Sequence, residues 1–360
     1  MNIIIFSANI GHGHNLVAEA TAEELRLAGH TVQQIDALDF VSPFFSKVLL
    51  ESYLKLLRYT PNIYGRIYQW TEEPTFFDFS SIINNLFCNL FKKLLSQFKP
   101  DAIVCTHSFP AGLLSALKIK LDIDVPLFAV VTDFTVHYTY VHPAVNTYVV
   151  ASPKLTYQLR HIGVEEHQIA PTGIPIRRRF SNPPSRPEAR EALGLENRPT
   201  LLLMGGGLGM GTPTEMVRVL DHYLDGPQLI VIAGKNESLY RELLASRFRN
   251  EVQIVGYVDN VETYMAAADL LVTKPGGVTC AEALAIGLPM AVVSPIPGQE
   301  FRNASFLVEQ QAAVQFDMSF LAPKLADLLA DDLRLSCMSQ LAKRLARPLA
   351  ARHLVDLLQR

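Results

Sequence analysis

Short apolar runs punctuate the chain, and each one empties into a polar or glycine-rich segment. Residues 2–7, 31–35, 102–106, 126–131 and 148–151 form one such series, and 200–204, 229–233, 252–255, 270–272 and 312–316 a second. Where apolar residues stand at consecutive positions, as at 2–7, 126–131 and 270–272, such runs predict strands covered on both faces, and the others, including Thr31 to Ile35, read simply as strands. Between them lie stretches with helical spacing at 15–28, 82–98, 111–120, 152–162, from about 214, 279–286, 305–310 and 341–360. The opening order of strand, glycine loop, helix and strand predicts an α/β chain of parallel, doubly wound sheets. In such a sheet the functional residues collect beyond the C-terminal ends of the strands.

The segment Thr172-Gly173-Ile174-Pro175, the triplet Arg177-Arg178-Arg179 and a proline-rich run to Pro187 read as a linker. The predicted division is a first domain at 1–172, a second at 173–340 and a final helix at 341–360. A length of 360 residues is ample for two cores. With 49% hydrophobic and 19% charged residues and a net charge of −3, nothing calls for nucleic acid. Cys88, Cys105, Cys280 and Cys337 are too scattered for a zinc site or disulfide framework and suit a reducing cytoplasm. Met1-Asn2 runs straight into Ile3-Ile4-Ile5-Phe6 without a basic leader, so no signal peptide is expected, and no run is long enough to span a bilayer.

The most informative stretch is 270–303. Leu270-Leu271-Val272 is a strand broken by Pro275-Gly276-Gly277, and good helix formers follow to Ile286 before Gly287 and Pro289. A glycine turn opening a helix offers free N–H groups at the positive end of the helix dipole, which suits a phosphate. Gly276, Gly277, Val278 and Thr279 are the candidates. Glu282, one turn on, is placed for two vicinal hydroxyls such as those of a ribose. The segment Pro297-Gly298-Gln299-Glu300 reads as a polar loop near the phosphate. A second glycine loop, Gly205-Gly206-Gly207-Leu208-Gly209, offers a further phosphate cradle through Gly206, Gly207 and Gly209. At the N-terminus, Gly11-His12-Gly13-His14 follows the first strand. It lacks the Gly-x-Gly-x-x-Gly spacing of a dinucleotide fingerprint, although Asp36 keeps that alternative open.

Pro275-Gly276-Gly277, Glu282, Gly298-Gln299-Glu300 and Asn303 together resemble the nucleotide-sugar site of an inverting GT-B glycosyltransferase. More narrowly, they resemble the monogalactosyldiacylglycerol synthases and the processive diacylglycerol glucosyltransferases. The resemblance implies a GT-B fold of two Rossmann-like domains facing a central crevice, with the last helix crossing back to the first domain. It implies transfer of glucose or galactose from a UDP-sugar to diacylglycerol, with no metal. His14 becomes the base that deprotonates the acceptor, its ordinary pKa lying near working pH. Asp133, in Thr132-Asp133-Phe134, orients that base or meets the acceptor. Tyr257 faces uracil, Glu282 the ribose, Gln299 and Glu300 the sugar hydroxyls, and Asn303 a phosphate. Retaining relatives carry a glutamate eight positions before the ribose glutamate; Lys274 stands there, which implies inversion. His12 departs from the glycine or asparagine commoner at its position.

Residues 44–99 carry seven Lys and Arg against four Asp and Glu, interleaved with aromatics; the part from Phe44 to Trp70 fits an anionic membrane surface as well as it fits core, and Ile82 to Phe98 reads as core. Phe44, Phe45, Tyr53, Arg58, Tyr64, Tyr68 and Trp70, with His137, are the candidates for acceptor and membrane contact. The expected location is the cytoplasmic face of a membrane, held peripherally. Two alternatives stay open: transfer of N-acetylglucosamine to an undecaprenyl-linked intermediate, and nucleotide binding without transferase activity.

Overall fold

The computed structural model describes residues 1–9, 12–41, 60, 63, 65, 66, 68, 85–207, 209 and 214–359. Of the aromatic segment, Phe44, Phe45, Tyr53, Arg58, Tyr64 and Trp70 lie outside the described residues. The chain divides into two compact units. One comprises Met1–Arg178, Pro297–Gln299 and Leu349–Arg360, and the other Arg179–Ile296 and Glu300–Pro348.

The first unit runs β1 (Asn2–Ser7), α1 (His12–Leu27), β2 (Thr31–Asp36), α2 (Ala37–Val41), α3 (Asn85–Phe98), β3 (Ala102–Cys105), α4 (Ser108–Leu121), β4 (Leu127–Val130), β5 (Thr147–Val149), α5 (Lys154–His161) and β6 (Ile169–Ala170). The six strands are parallel in the order β2-β1-β3-β4-β5-β6. Ile3, Ile4 and Ile5 have no exposed surface, as do Ile103 and Val104, because helices cover both faces of the central strands. The two-residue β6 is too short to leave a pattern in the sequence. Asp122, in the left-handed region at φ 53°, ends α4, so the Asp122-Ile123-Asp124 triplet is a helix stop leading into β4.

The second unit runs α6 (Arg186–Leu193), β7 (Thr200–Met204), α7 (Thr214–Tyr223), β8 (Gln228–Ile232), α8 (Glu237–Ala245), β9 (Val252–Val255), α9 (Val261–Ala267), β10 (Leu270–Thr273), α10 (Gly277–Ile286), β11 (Met290–Val293), α11 (Gln299–Glu309), β12 (Ala313–Phe316), α12 (Leu321–Leu329) and α13 (Asp332–Leu345). Its sheet is also parallel, in the order β12-β11-β10-β7-β8-β9. Leu201, Leu203, Val231, Leu270 and Val272 pack with Val217, Leu220, Leu325 and Met338 in one core cluster. Beneath the strands, buried Arg190 on α6 donates to Ala267 O and Asp269 Oδ2, and Asp269 accepts the Thr200 amide.

Two expectations need correction. The tail is not one helix over 341–360. α13 ends at Leu345, and α14 (Ala350–Leu358) belongs to the first unit, where it packs on α1. Pro348 has no N–H to continue the helix, and Arg347 Nη1 takes up the freed carbonyls of Leu345 and Ala346. Nor is Gln299-Glu300 a loop. Both residues open α11, whose entry is set by Gly298 at φ +110°.

Candidate active site

In the first unit the sheet order turns between β1 and β3, so the segments leaving these two strands part and open a crevice. α1 starts at His12, earlier than the sequence suggested, which puts His14 in its first turn beside the end of β3. His14 Nδ1 lies 2.8 Å from Thr106 O and 3.0 Å from Thr132 Oγ1. A carbonyl only accepts, so Nδ1 carries the proton and Nε2 keeps its lone pair. The Thr106 hydroxyl returns the contact, donating to His14 O at 3.0 Å. The base is therefore held at one nitrogen and basic at the other.

The ordinary pKa expected for His14 is corrected by its surroundings. Burial drives it from 6.5 down to about 4, against a smaller opposing effect of the Thr106 carbonyl. The helix N-terminus also disfavours a cation there. The His107 ring meets the His14 ring edge-on at 4.4 Å between centroids. His107 Nδ1 accepts the Phe109 amide at 3.0 Å and caps α4, so its proton sits on Nε2. Burial, and then the neighbouring His14, hold His107 well below the usual imidazole range. The groups facing His14 are thus Thr106, His107 and Thr132, of which the sequence flagged none for this role. Their shared signal was position, each just past an apolar run. Asp133 bears on Tyr140, whose hydroxyl is pushed up chiefly by burial and then by that carboxylate.

His137 is held by two hydrogen bonds. It is 8% exposed, and its Nδ1 accepts the Thr139 amide while Nε2 donates to Tyr68 O at 3.1 Å. Its ring lies 4.4 Å from that of Tyr68. With both ring nitrogens engaged, the imidazole braces the Tyr68 backbone.

In the second unit the order turns between β7 and β10, and both glycine segments leave from there. The Thr273 hydroxyl donates to Met204 O at 2.7 Å, tying the two strand ends together. Gly206 and Gly209 have φ near +70° and +61°. A Cβ on Gly209 would stand 1.9 Å from Ala233 O, so no other residue fits. Lys235 N–H donates to Gly207 O and Asn236 Nδ2 to Gly209 O, so the turn after β8 buttresses the glycine loop. Tyr257 is 46% exposed, with Lys235 Nζ 5.0 Å from its ring centre.

Gly276 caps α10 with an ordinary φ of −67°, and a Cβ there would meet nothing within 4 Å. The fold does not need this glycine, so the space above it is the feature of interest. Gly277, Val278 and Thr279 form the first helical turn, where amides have no carbonyl four residues back to bond. Val278 is 6% exposed, so it offers its amide and not its side chain. Glu282 follows one turn on, 3% exposed. Asn303 is fully buried and donates to Pro275 O at 3.0 Å. That hydrogen bond supports the turn from behind. Glu300 Oε2 accepts the Ile296 amide at 2.8 Å and lies 3.5 Å from Lys274 Nζ. Among the described residues no group of three or more His, Cys, Asp or Glu could hold a metal ion, and no helix is long and apolar enough to cross a membrane.

Residues 14–176 match the monogalactosyldiacylglycerol (MGDG) synthase family, and residues 200–353 the glycosyltransferase family 28 C-terminal domain. A processive diacylglycerol beta-glucosyltransferase of Bacillus cereus (strain AH187) is 32% identical, over 98% of this chain and 92% of the relative. One from Bacillus thuringiensis (strain Al Hakam) is 31% identical over the same shares. Among solved structures, Acinetobacter baumannii MurG superposes with a TM-score of 0.66 at 20% identity, covering 99% of each chain. S. aureus MnaA, in its co-structure with UDP, gives 0.65 at 15% identity over 100% of this chain and 96% of that one. These likenesses establish the GT-B fold. With two parallel doubly wound units and relatives matched end to end, the chain belongs to the diacylglycerol glycosyltransferase family, glycosyltransferases that make membrane glycolipids.

Proposed function

We propose that this chain transfers glucose from UDP-glucose to the hydroxyl of diacylglycerol, inverting the anomeric carbon, while bound peripherally at the cytoplasmic face of a membrane. The observation that carries the reading is the 2.8 Å contact of His14 Nδ1 with Thr106 O: a carbonyl only accepts, so the proton belongs on Nδ1 and Nε2 keeps its lone pair. That nitrogen takes the proton of the attacking hydroxyl. Attack from the face opposite the nucleotide inverts the centre, and the β-glucosyl name borne by the relatives supports that stereochemistry and that sugar. The leaving diphosphate gains charge, which the amides of Gly276 to Thr279 and of Gly206, Gly207 and Gly209 stabilise without a metal. Glu282 holds the ribose, Tyr257 lies against uracil and Gln299 binds sugar hydroxyls.

The test is transfer of radiolabel from UDP-glucose, UDP-galactose or UDP-N-acetylglucosamine to diacylglycerol in anionic vesicles, with and without EDTA. Labelled glycolipid from UDP-glucose, EDTA-insensitive and β by NMR, is the expected result. An α-linked product, or near-normal turnover in His14→Ala, refutes the mechanism.

A further inference from the structure

We propose that Lys274 and Glu300 are a positioning pair that sets the first turn of α11 against the Pro275–Thr279 turn, and that Glu300 is not a sugar ligand. The inference rests on the reading of that turn as the diphosphate site. Its starting point is how the turn is held. Thr273 fastens its near end to β7, and Asn303 on α11 donates to Pro275 O in its middle. Glu300, on the same face of α11 as Asn303, faces Lys274 just before Pro275. Three consecutive residues, Thr273, Lys274 and Pro275, are thus each tied to a neighbouring element, and two of the three ties come from α11.

One oxygen of the Glu300 carboxylate is committed within the fold. Its Oε2 accepts the amide of Ile296, which fixes the entry into α11, and the same oxygen faces the Lys274 ammonium. The two side chains are only 16% and 11% exposed. A largely buried ion pair is costly to break, because removing one partner strands the other charge away from water. Gln299 precedes Glu300 in the chain, so its direction follows from how α11 is seated. A shift of about 1 Å in a positioning group costs up to roughly a hundredfold in rate. The pair therefore fixes how α11 from Glu300 onward is seated against the phosphate-binding amides.

The experiment compares K274M, E300Q, the double variant and K274R with the unaltered chain. Readouts are UDP affinity by calorimetry, kcat and KM with UDP-glucose and diacylglycerol vesicles, preference between UDP-glucose and UDP-galactose, and melting midpoint. Each single variant is expected to lose on the order of tenfold in kcat/KM, with the double no worse than either, since one interaction is removed in all three. K274R keeps most activity, UDP affinity moves little and donor preference does not change. E300Q altering donor preference while K274M behaves as the unaltered chain overturns the proposal, as do losses that multiply in the double. If K274M or E300Q fails to fold, the reversed pair K274E/E300K carries the test, regaining what either reversal alone loses. Failure of the unaltered chain to bind UDP refutes the phosphate reading instead, and coupling in the melting midpoints then decides whether the pair exists.

Discussion

Acidification should destabilise this protein, and one substitution should remove a defined part of the effect. The half-buried His14 ring is held away from water, and its pKa falls from 6.5 to about 4 on folding. Below pH 6.5 the unfolded chain therefore binds more protons at this site than the folded one, so protonation favours unfolding. The contribution is fully present above pH 6.5 and is lost as the pH falls towards 4. Worked through the two binding isotherms, the loss between pH 7 and pH 5 is about 2 kcal/mol from this ring alone. His107 shifts in the same direction and adds to it. Urea unfolding at the two pH values, for the unaltered chain and for His14→Gln, isolates the term. The unaltered chain should lose about 2 kcal/mol more than the variant between pH 7 and 5. Equal losses, or a His14 ring resonance titrating near 6.5, would show that the imidazole is not buried as described. The same shift keeps the base neutral, so kcat/KM should stay flat on the acid side until close to pH 4 and then fall.

Gly276→Ala should leave the melting midpoint within a degree or two, because the added methyl meets no atom and φ is ordinary, yet cut UDP affinity on the order of tenfold where a phosphate must approach; calorimetry with UDP checks both halves. Gly209→Ala should instead unfold or displace the glycine loop, since its Cβ would overlap Ala233 O, and would show as a lowered melting midpoint before any assay of binding. Asn303→Ala removes the donor to Pro275 O and should cost about 1–3 kcal/mol in urea. Arg190→Met breaks a buried pair with Asp269 and should cost about 3 kcal/mol, with UDP affinity at saturating stability unchanged because the pair lies below the strands, away from the glycine turns.

What was legible in the sequence was whatever is local. Runs such as Ile3-Ile4-Ile5-Phe6 and Leu270-Leu271-Val272 state their own burial, and glycine turns state where the backbone bends. Pro297-Gly298 misled, because a proline and a glycine look like a loop from either side. Here they are the turn that launches α11, and Gln299, Glu300 and Asn303 share that helix. The environment of His14 was not legible at all. Its partners Thr106 and Thr132 stand 92 and 118 residues away, and only the sheet order brings them together. A lone histidine after a glycine loop reads as an ordinary imidazole until three strand ends close around it.

Both units solve the same problem with the same geometry, and this explains which residues are chemical and which are supports. A parallel sheet has few places where backbone groups can face a ligand, chiefly the divergence of two loops at a switch point. In the first unit that point lies between β1 and β3 and holds an imidazole; in the second it lies between β7 and β10 and holds glycine amides. Loops that diverge meet only at their bases, as His14 and Thr106 do, so each also relies on buried or half-buried polar side chains to hold it. Thr106 and Thr132 do this for His14, Asn236 for Gly209, and Asn303 for Pro275. The supports are polar, buried and distant in sequence, whereas the amides they hold come from short, small residues. Conservative changes at the supports, such as Thr132→Val or Asn303→Leu, should therefore affect turnover through geometry, with kcat falling more than nucleotide affinity. A loss confined to nucleotide affinity would mean that these residues touch the ligand after all.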